Sequence, residues 1–351
     1  MKLWDGIIGH RRVASMLQRQ LERPAHAYLF VGPANVGKAT VARRFAAALI
    51  DGDANRLRRA VAGIHPDVVV VEPDGRSALT VERAREAMTH EALVPVEGAR
   101  KVFLVEEASL MNDEAANAFL KTLEEPAPST VFVLCVEAED DLPATVVSRC
   151  RVVRFGRVAP AELKDGLIAA GALAPGRAAE VAAAASGRPG LALDLASRPA
   201  AADFRTWWLG VPARLEEHPG TAFHLADEAV AVTEPLLEGL RSRQRAEIEE
   251  AAGGVTAAFR DRHERHLRRA TQALHISGLE ILAGFYRDVA AAQFGGPVRN
   301  RDVLPALLTA IGPEAALHRA HRVLQTVGSI REHQRPQLAF AALFDDLVTR
   351  V

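Results

Sequence analysis

Gly32-Pro33-Ala34-Asn35-Val36-Gly37-Lys38-Ala39-Thr40 is the stretch whose reading decides the fold of this chain. Gly, four residues, Gly and Lys is the spacing of a phosphate-binding P-loop. The flanks agree with it. Ala27-Tyr28-Leu29-Phe30-Val31 is a short apolar run suited to a buried parallel strand, and Ala39 to Leu49 is Ala-rich with a helical pattern. Gly32 and Gly37 let backbone N–H groups around Asn35 turn inward on phosphate oxygens, and the helix that follows aims its positive end at them. Lys38 supplies the charge.

The position after the lysine should carry a hydroxyl for magnesium, and here it is Ala39. Thr40 lies one residue on, about 100° further round a helix, so it cannot take over. The loop keeps the shape for an anion such as phosphate or sulfate, or for a weakly held nucleotide, and lacks a metal ligand.

Outward from the loop, strands and helices alternate, which predicts a parallel α/β sheet. His65-Pro66-Asp67 leads into Val68-Val69-Val70-Val71, which reads as a central strand covered on both faces. His65 stands either as a functional group or, more simply, as part of a His-Pro step that fixes the chain before the strand. Residues 51–63 read as a surface connection, and Thr80 to Leu93 as a helix capped by Thr80. Lys101-Val102-Phe103-Leu104-Val105 is an apolar strand ending in Glu106 and Glu107. Two acids there suit a Walker B pair, the first orienting the magnesium shell and the second activating water. Glu106 stands where Asp is usual, and its extra methylene disturbs metal geometry. The other reading is a pair of acids that end a strand by chance. Asn112 is placed to cap a helix with Ala116, Phe119, Leu120 and Leu123 on one face, stopped at Pro126. Val131 to Cys135 is a further buried strand, and Leu142-Pro143-Ala144 opens a helix leading to Ser148-Arg149-Cys150.

The 351 residues are enough for two or three domains. A formal net charge of −1 excludes the global basic field that drives autonomous DNA binding. Two cysteines, no signal pattern and no span-length apolar run lead to the expectation of a reduced, cytoplasmic protein without membrane contact.

His26-Ala27-Tyr28-Leu29-Phe30-Val31-Gly32-Pro33, then Asn117-Ala118-Phe119-Leu120-Lys121-Thr122-Leu123-Glu124-Glu125-Pro126, then Leu142-Pro143-Ala144-Thr145 with Ser148-Arg149-Cys150 resemble the AAA+ clamp-loader proteins of bacterial DNA polymerase III. The resemblance covers most of residues 1–155. It implies an AAA+ P-loop domain over 1–155, a small helical lid over 156–203 and an all-α collar over 204–351. It also implies a role in DNA replication beside gamma/tau and delta subunits, reaching the sliding clamp and primed DNA through their complex. Gly6 to His10 would line the adenine pocket, or merely precede a packing helix with Val13, Leu17 and Leu21.

Two kinds of member compete, the ATP-hydrolysing gamma/tau and the delta-prime kind that has lost catalytic parts; an AAA+ regulator outside replication is a third alternative, disfavoured by Leu120-Lys121-Thr122-Leu123-Glu124-Glu125-Pro126. Ala39, a sensor-1 pair falling on Val136-Glu137, the length, and a sensor-2 position near Gly190 favour the second, although an alignment shift would bring Arg188 into that place. Arg149, in its Ser-Arg-Cys setting, would then serve a neighbouring subunit's ATP site, the alternative being an ordinary surface ion pair. The four cysteines that often hold zinc in this family are missing from residues 41–64, so no zinc is expected.

In residues 156–351 helices are expected over 160–171 and 177–185, with a linker at Ala200 to Asp203. A helix opening at Gly312-Pro313 should bury Leu317, Ala320, Leu324 and Val327. Trp207-Trp208 reads as core. The pairs His263/His266 and His318/His321, and the basic run Arg265-His266-Leu267-Arg268-Arg269, read as solvated helix faces.

Overall fold

The structure, a computed structural model, describes residues 4–349 apart from 51–53, 72, 74–78, 90–93, 172, 197–199, 216–217, 219, 251–256, 299, 301–302, 304 and 333. The chain divides into two compact units. The first comprises Met1–Glu162 with Arg188–Gly190 and Gly254–Arg265, and the second comprises Leu163–Gly187, Leu191–Gly253 and His266–Val351.

The first unit runs α1 (Arg11–Gln20), β1 (Ala27–Val31), α2 (Lys38–Ile50), α3 (Ala54–Ala62), β2 (Val68–Val70), α4 (Val81–Thr89), β3 (Lys101–Val105), α5 (Asp113–Glu124), β4 (Thr130–Val136), α6 (Ala144–Val147) and β5 (Arg151–Arg154). The five strands form one parallel sheet in the order β2-β3-β4-β1-β5. β1, β3 and β4 are buried along their whole length because helices cover both faces. Successive side chains alternate between the two layers. Tyr28, Phe30, Val102, Leu104, Val133 and Cys135 face Leu17 of α1 and Phe45 of α2, whereas Leu29, Phe103, Phe132 and Leu134 face Phe119 and Leu123 of α5.

Residues 54–62 are a helix, not a surface connection. Leu57, Ala60 and Val61 recur at helical spacing and pack on the layer that holds α2. The valine run forms an edge strand rather than a central one, with Val69 and Val70 only half-buried. β-Branched side chains suit a covered pleat but do not specify a ladder partner on each side. Thr80 lies before α4 with a long 3.5 Å contact to the Arg83 N–H, and residues 90–93 fall outside the described ones. Asn112 caps α5 as expected, its Oδ1 accepting from the Ala115 N–H at 2.8 Å.

The His-Pro-Asp step is structural. Asp67 is fully buried, and its carboxylate accepts the backbone N–H groups of Val96, Glu97 and Gly98 at 2.6, 2.8 and 2.8 Å. Burial pushes its carboxyl up, but these three donors outweigh burial and leave it below the usual range. His65 Nδ1 accepts the Asp67 N–H at 3.1 Å, so the proton sits on Nε2, and burial lowers its pKa.

The second unit is helical: most of α7 (Pro160–Ala169), then α8 (Pro175–Ala184), most of α9 (Pro189–Ala196), α10 (Ala200–Gly210), α11 (Thr221–Ala231), α12 (Glu234–Glu250), most of α13 (Ala257–Gln293), α14 (Pro313–Arg331) and α15 (Pro336–Thr349). The expected linker at Ala200 to Asp203 is the first turn of α10, since three alanines favour helix over loop. Trp208 is fully buried among Phe204, Phe340 and Phe344, while Trp207 is half-buried and donates from Nε1 to Glu228 at 3.0 Å. Gly278 exists for that ring, because a Cβ there would lie 2.0 Å from Trp208 Cε2. In α14 the buried stripe is Ala316, Ala320, Val323, Val327 and Ile330, and Leu317 and Leu324 are exposed. The expected stripe was thus turned partly to solvent, because a helix with apolar residues on two adjoining faces does not reveal which one its neighbours cover.

His275 sits in this helical core with its ring 5.4 Å from that of Phe340, and burial, opposed weakly by Glu234, lowers its pKa to about 4. The folded value lies below the unfolded one, so the unfolded chain binds the extra proton first as pH falls. Stability is therefore lost between the ordinary histidine value of about 6.5 and about 4. Replacing His275 by Phe should flatten this acid slope, the two proteins diverging by up to about 3 kcal/mol near the lower limit. Urea unfolding of both across this range measures it; parallel slopes would sink the assignment.

Candidate functional site

The registers Val31↔Val136 and Val105↔Leu134 bring the carboxyl ends of β1, β3 and β4 nearly level. The loops after β1 and β3, which carry the P-loop and the acid pair, therefore meet. This is where ligands bind in open α/β sheets.

The P-loop is held from several sides. The Gly32 N–H donates to Val136 O at 3.2 Å, and a Cβ on Gly32 would lie 2.2 Å from Phe155 O. Asn35 has φ 59 and Gly37 has φ 103, the left-handed turns that fold the loop back on itself. The Asn35 carbonyl accepts the Gly190 N–H at 3.0 Å. His10, itself at φ 57, donates from Nε2 to Val36 O at 2.7 Å and rests edge-on against Phe155. Lys38 donates back into the loop, to Gly32 O at 2.5 Å and Pro33 O at 2.8 Å. Ala39 opens α2 without a hydroxyl, and the Thr40 side chain is exposed.

Both acids are paired within the chain. Glu106 is bonded by Arg43 of α2, which also donates to Val61 O at 3.1 Å. Glu107 is buried, 8% exposed, and forms an ion pair with Arg265 Nε at 3.1 Å, the arginine being only 4% exposed. Arg265 stands near the start of α13. The sequence reading placed it on a solvated basic face, and the structure corrects this. No signal in the sequence links residues 158 positions apart when an ordinary basic helix face explains one of them.

The side chains present do not fit a magnesium–nucleotide complex. One ligand position lacks oxygen, and two carboxylates hold guanidinium groups. Among the described residues no group of three His, Cys, Asp or Glu is placed to hold a metal ion, and no helix is long and apolar enough to cross a membrane.

Arg149 is not part of this cluster of side chains. It follows α6 in the turn before the edge strand β5, with its Nη1 donating to Thr145 O at 2.8 Å and its Nη2 paired to Glu124 at the end of α5. Its side chain is 34% exposed. Cys135 lies in the core beneath Lys38, Arg43 and Glu106, and burial pushes its thiol up to about 12; the Cys150 thiol is raised to about 12 by burial as well.

Strand order and loop define a parallel α/β domain of the P-loop type. The family model described as DNA polymerase III, delta subunit, matches residues 9–159. The delta' subunit of DNA polymerase III from Pseudomonas aeruginosa is 38% identical over 136 residues, 36% of this chain and 42% of that one. The Bacillus subtilis delta' subunit is 34% identical over 169 residues, 45% and 50% of the two chains. The Bacillus subtilis tau subunit is 31% identical over 165 residues, 44% and 29%. The chain spans half the length or less of these relatives. A gamma-subunit-related protein of Thermotoga maritima aligns over 96% of this chain and 98% of its own at 15% identity and a TM-score of 0.40, too slight a likeness to carry an argument. Over residues 9–159 the chain is thus similar to clamp-loader proteins of DNA polymerase III, delta' subunits among them.

The loop geometry separates its two glycines. Gly32→Ala should lower stability by about 2 kcal/mol or more, because the new methyl meets a backbone carbonyl that cannot swing away. Gly37→Ala meets nothing within 4 Å and should cost only about 1 kcal/mol, from its positive φ. Thermal unfolding of the two variants checks the order; equal losses would contradict the close approach to Phe155.

Proposed function

We propose that the chain is a delta-prime-like subunit of the replicative clamp loader that does not hydrolyse ATP itself. In this reading it works in the cytoplasm within the DNA polymerase III holoenzyme, beside gamma/tau and delta subunits, and reaches the sliding clamp and primed DNA through them. Residues 1–155 form its AAA+ domain, 156–203 its lid and 204–351 its collar. The observation that carries the reading is that Glu106 and Glu107, the two acids that would serve magnesium and water, are each held by an arginine of the same chain.

Arg149 is then the group offered to a neighbour. A planar, permanently charged guanidinium can stabilise charge on a transferring phosphoryl group. Its partial exposure and its position outside the degenerate pocket support that use. The pair with Glu124 is exposed and contributes little to stability, so exchanging it for an anion across an interface costs little.

The test is steady-state ATP hydrolysis and clamp loading by a reconstituted complex with primed DNA and clamp. Arg149→Ala should leave the melting temperature nearly unchanged and reduce both activities of the complex. Arginine fingers contribute about 10³ to 10⁵ in rate, and the ensemble loss should be smaller because one site of several is affected. Arg149→Lys should rescue poorly, lacking the planar fork. A complex with Arg149→Ala that loads clamps at the normal rate would show the residue to be structural.

The isolated chain should bind magnesium-ATP weakly or not at all. Ala39→Thr should improve binding more than turnover, since both acids stay paired. Micromolar magnesium-ATP affinity in calorimetry, lost on Lys38→Ala, would instead favour a gamma/tau-like ATPase, the reading to which the retained Gly32, Gly37 and Lys38 and the tau similarity lend weight.

A further inference from the structure

A pair of carboxylates at the end of a buried strand needs positive charge nearby. In an active P-loop site that charge is a divalent cation with its nucleotide. Here two guanidinium groups from different parts of the chain supply it. Arg43 approaches from α2, one turn and a half beyond Lys38, and Arg265 approaches from near the start of α13. Glu107 and Arg265 are both nearly excluded from solvent, whereas Glu106 and Arg43 are about one-fifth exposed.

We propose that Arg265 is a built-in counter-ion that, with Arg43, replaces the charge of the metal, so that this pocket is electrostatically complete without metal or nucleotide. The inference deepens the reading of a non-hydrolysing subunit and rests on it. The acids are occupied whether or not position 39 carries a hydroxyl.

The two pairs differ in what they contribute. Breaking a nearly buried pair from one side leaves an uncompensated charge in low dielectric, which is strongly destabilising, whereas removing both partners together is far milder. The Arg43–Glu106 pair keeps access to water, so its loss is softened. Arg265 therefore dominates. It also brings a residue distant in sequence to the end of β3 within the first compact unit.

The experiment uses the full isolated chain, without nucleotide, and reads thermal unfolding in chelator and in millimolar magnesium chloride. Arg265→Met should lower the midpoint in chelator by on the order of 5–10 °C. Adding Glu107→Gln in the same chain should recover at least half of that loss. Magnesium should leave the midpoint of the parent chain unmoved, since both acids are already paired with guanidinium groups. Should Arg265→Met fail to fold, a folded Arg265→Met/Glu107→Gln protein supports the proposal and an unfolded one overturns it. A single variant as stable as the parent, a double variant no better than the single, or magnesium stabilising the parent chain would also overturn it. Because neither ATP nor the complex enters this measurement, its failure is distinct from a failure of the trans role of Arg149.

Discussion

The parallel pairing of β1 with β4, and of β4 with β3, is the constraint on which the rest depends. It levels the carboxyl ends of three buried strands, and so compels the loops after β1 and β3 to share one small space. Everything placed in that space must then satisfy its charges and its backbone polar groups locally, because each strand end is closed off by apolar layers on both faces. The P-loop meets this demand through its own lysine, His10 and the Gly190 N–H, and the acids meet it through arginines.

Such a solution makes the pocket stable as it stands. Lysine already spends two of its three N–H donors on its own loop carbonyls, and swinging it away to a phosphate would give those hydrogen bonds up. Each of those bonds is worth about 1.5–3 kcal/mol, being made to a charged group. An entering anion would regain them, but a metal bound to that anion would still meet two carboxylates already committed to guanidinium groups. The charge balance is therefore a property of the whole pocket rather than of position 39 alone.

The fold was legible where a pattern is local. Ala27 to Val31, Lys101 to Val105 and Val131 to Cys135 are apolar runs bounded by turn residues, and the Asn112 cap is a three-residue signal. What escaped reading depends on partners remote in sequence. Val68 to Val70 look like a central strand because β-branched side chains report coverage of faces, whereas the missing ladder on one side is decided by topology. Leu317 and Leu324 look buried because helical spacing defines a stripe without saying which neighbour covers it. Motif spacing singled out Lys38, Glu106 and Glu107 as candidates, and the arginines that pair with the two acids, Arg43 and Arg265, gave no such signal, since an arginine on a helix ordinarily needs no explanation beyond solvent.

Three arginines make the distinction between structural and available charge concrete. Arg265 is 4% exposed and faces a buried acid, so its removal takes a positive charge from beside a nearly buried carboxylate. Arg43 is 18% exposed, bonded to Glu106 and to a backbone carbonyl, an intermediate case. Arg149 is 34% exposed and paired with an acid that is itself half in water. Along this series the desolvation already invested falls, and with it the penalty for exchanging partners. A guanidinium that must act on something outside its own chain has to lie at the exposed end of such a series, and the proposed trans role is assigned to the arginine that does.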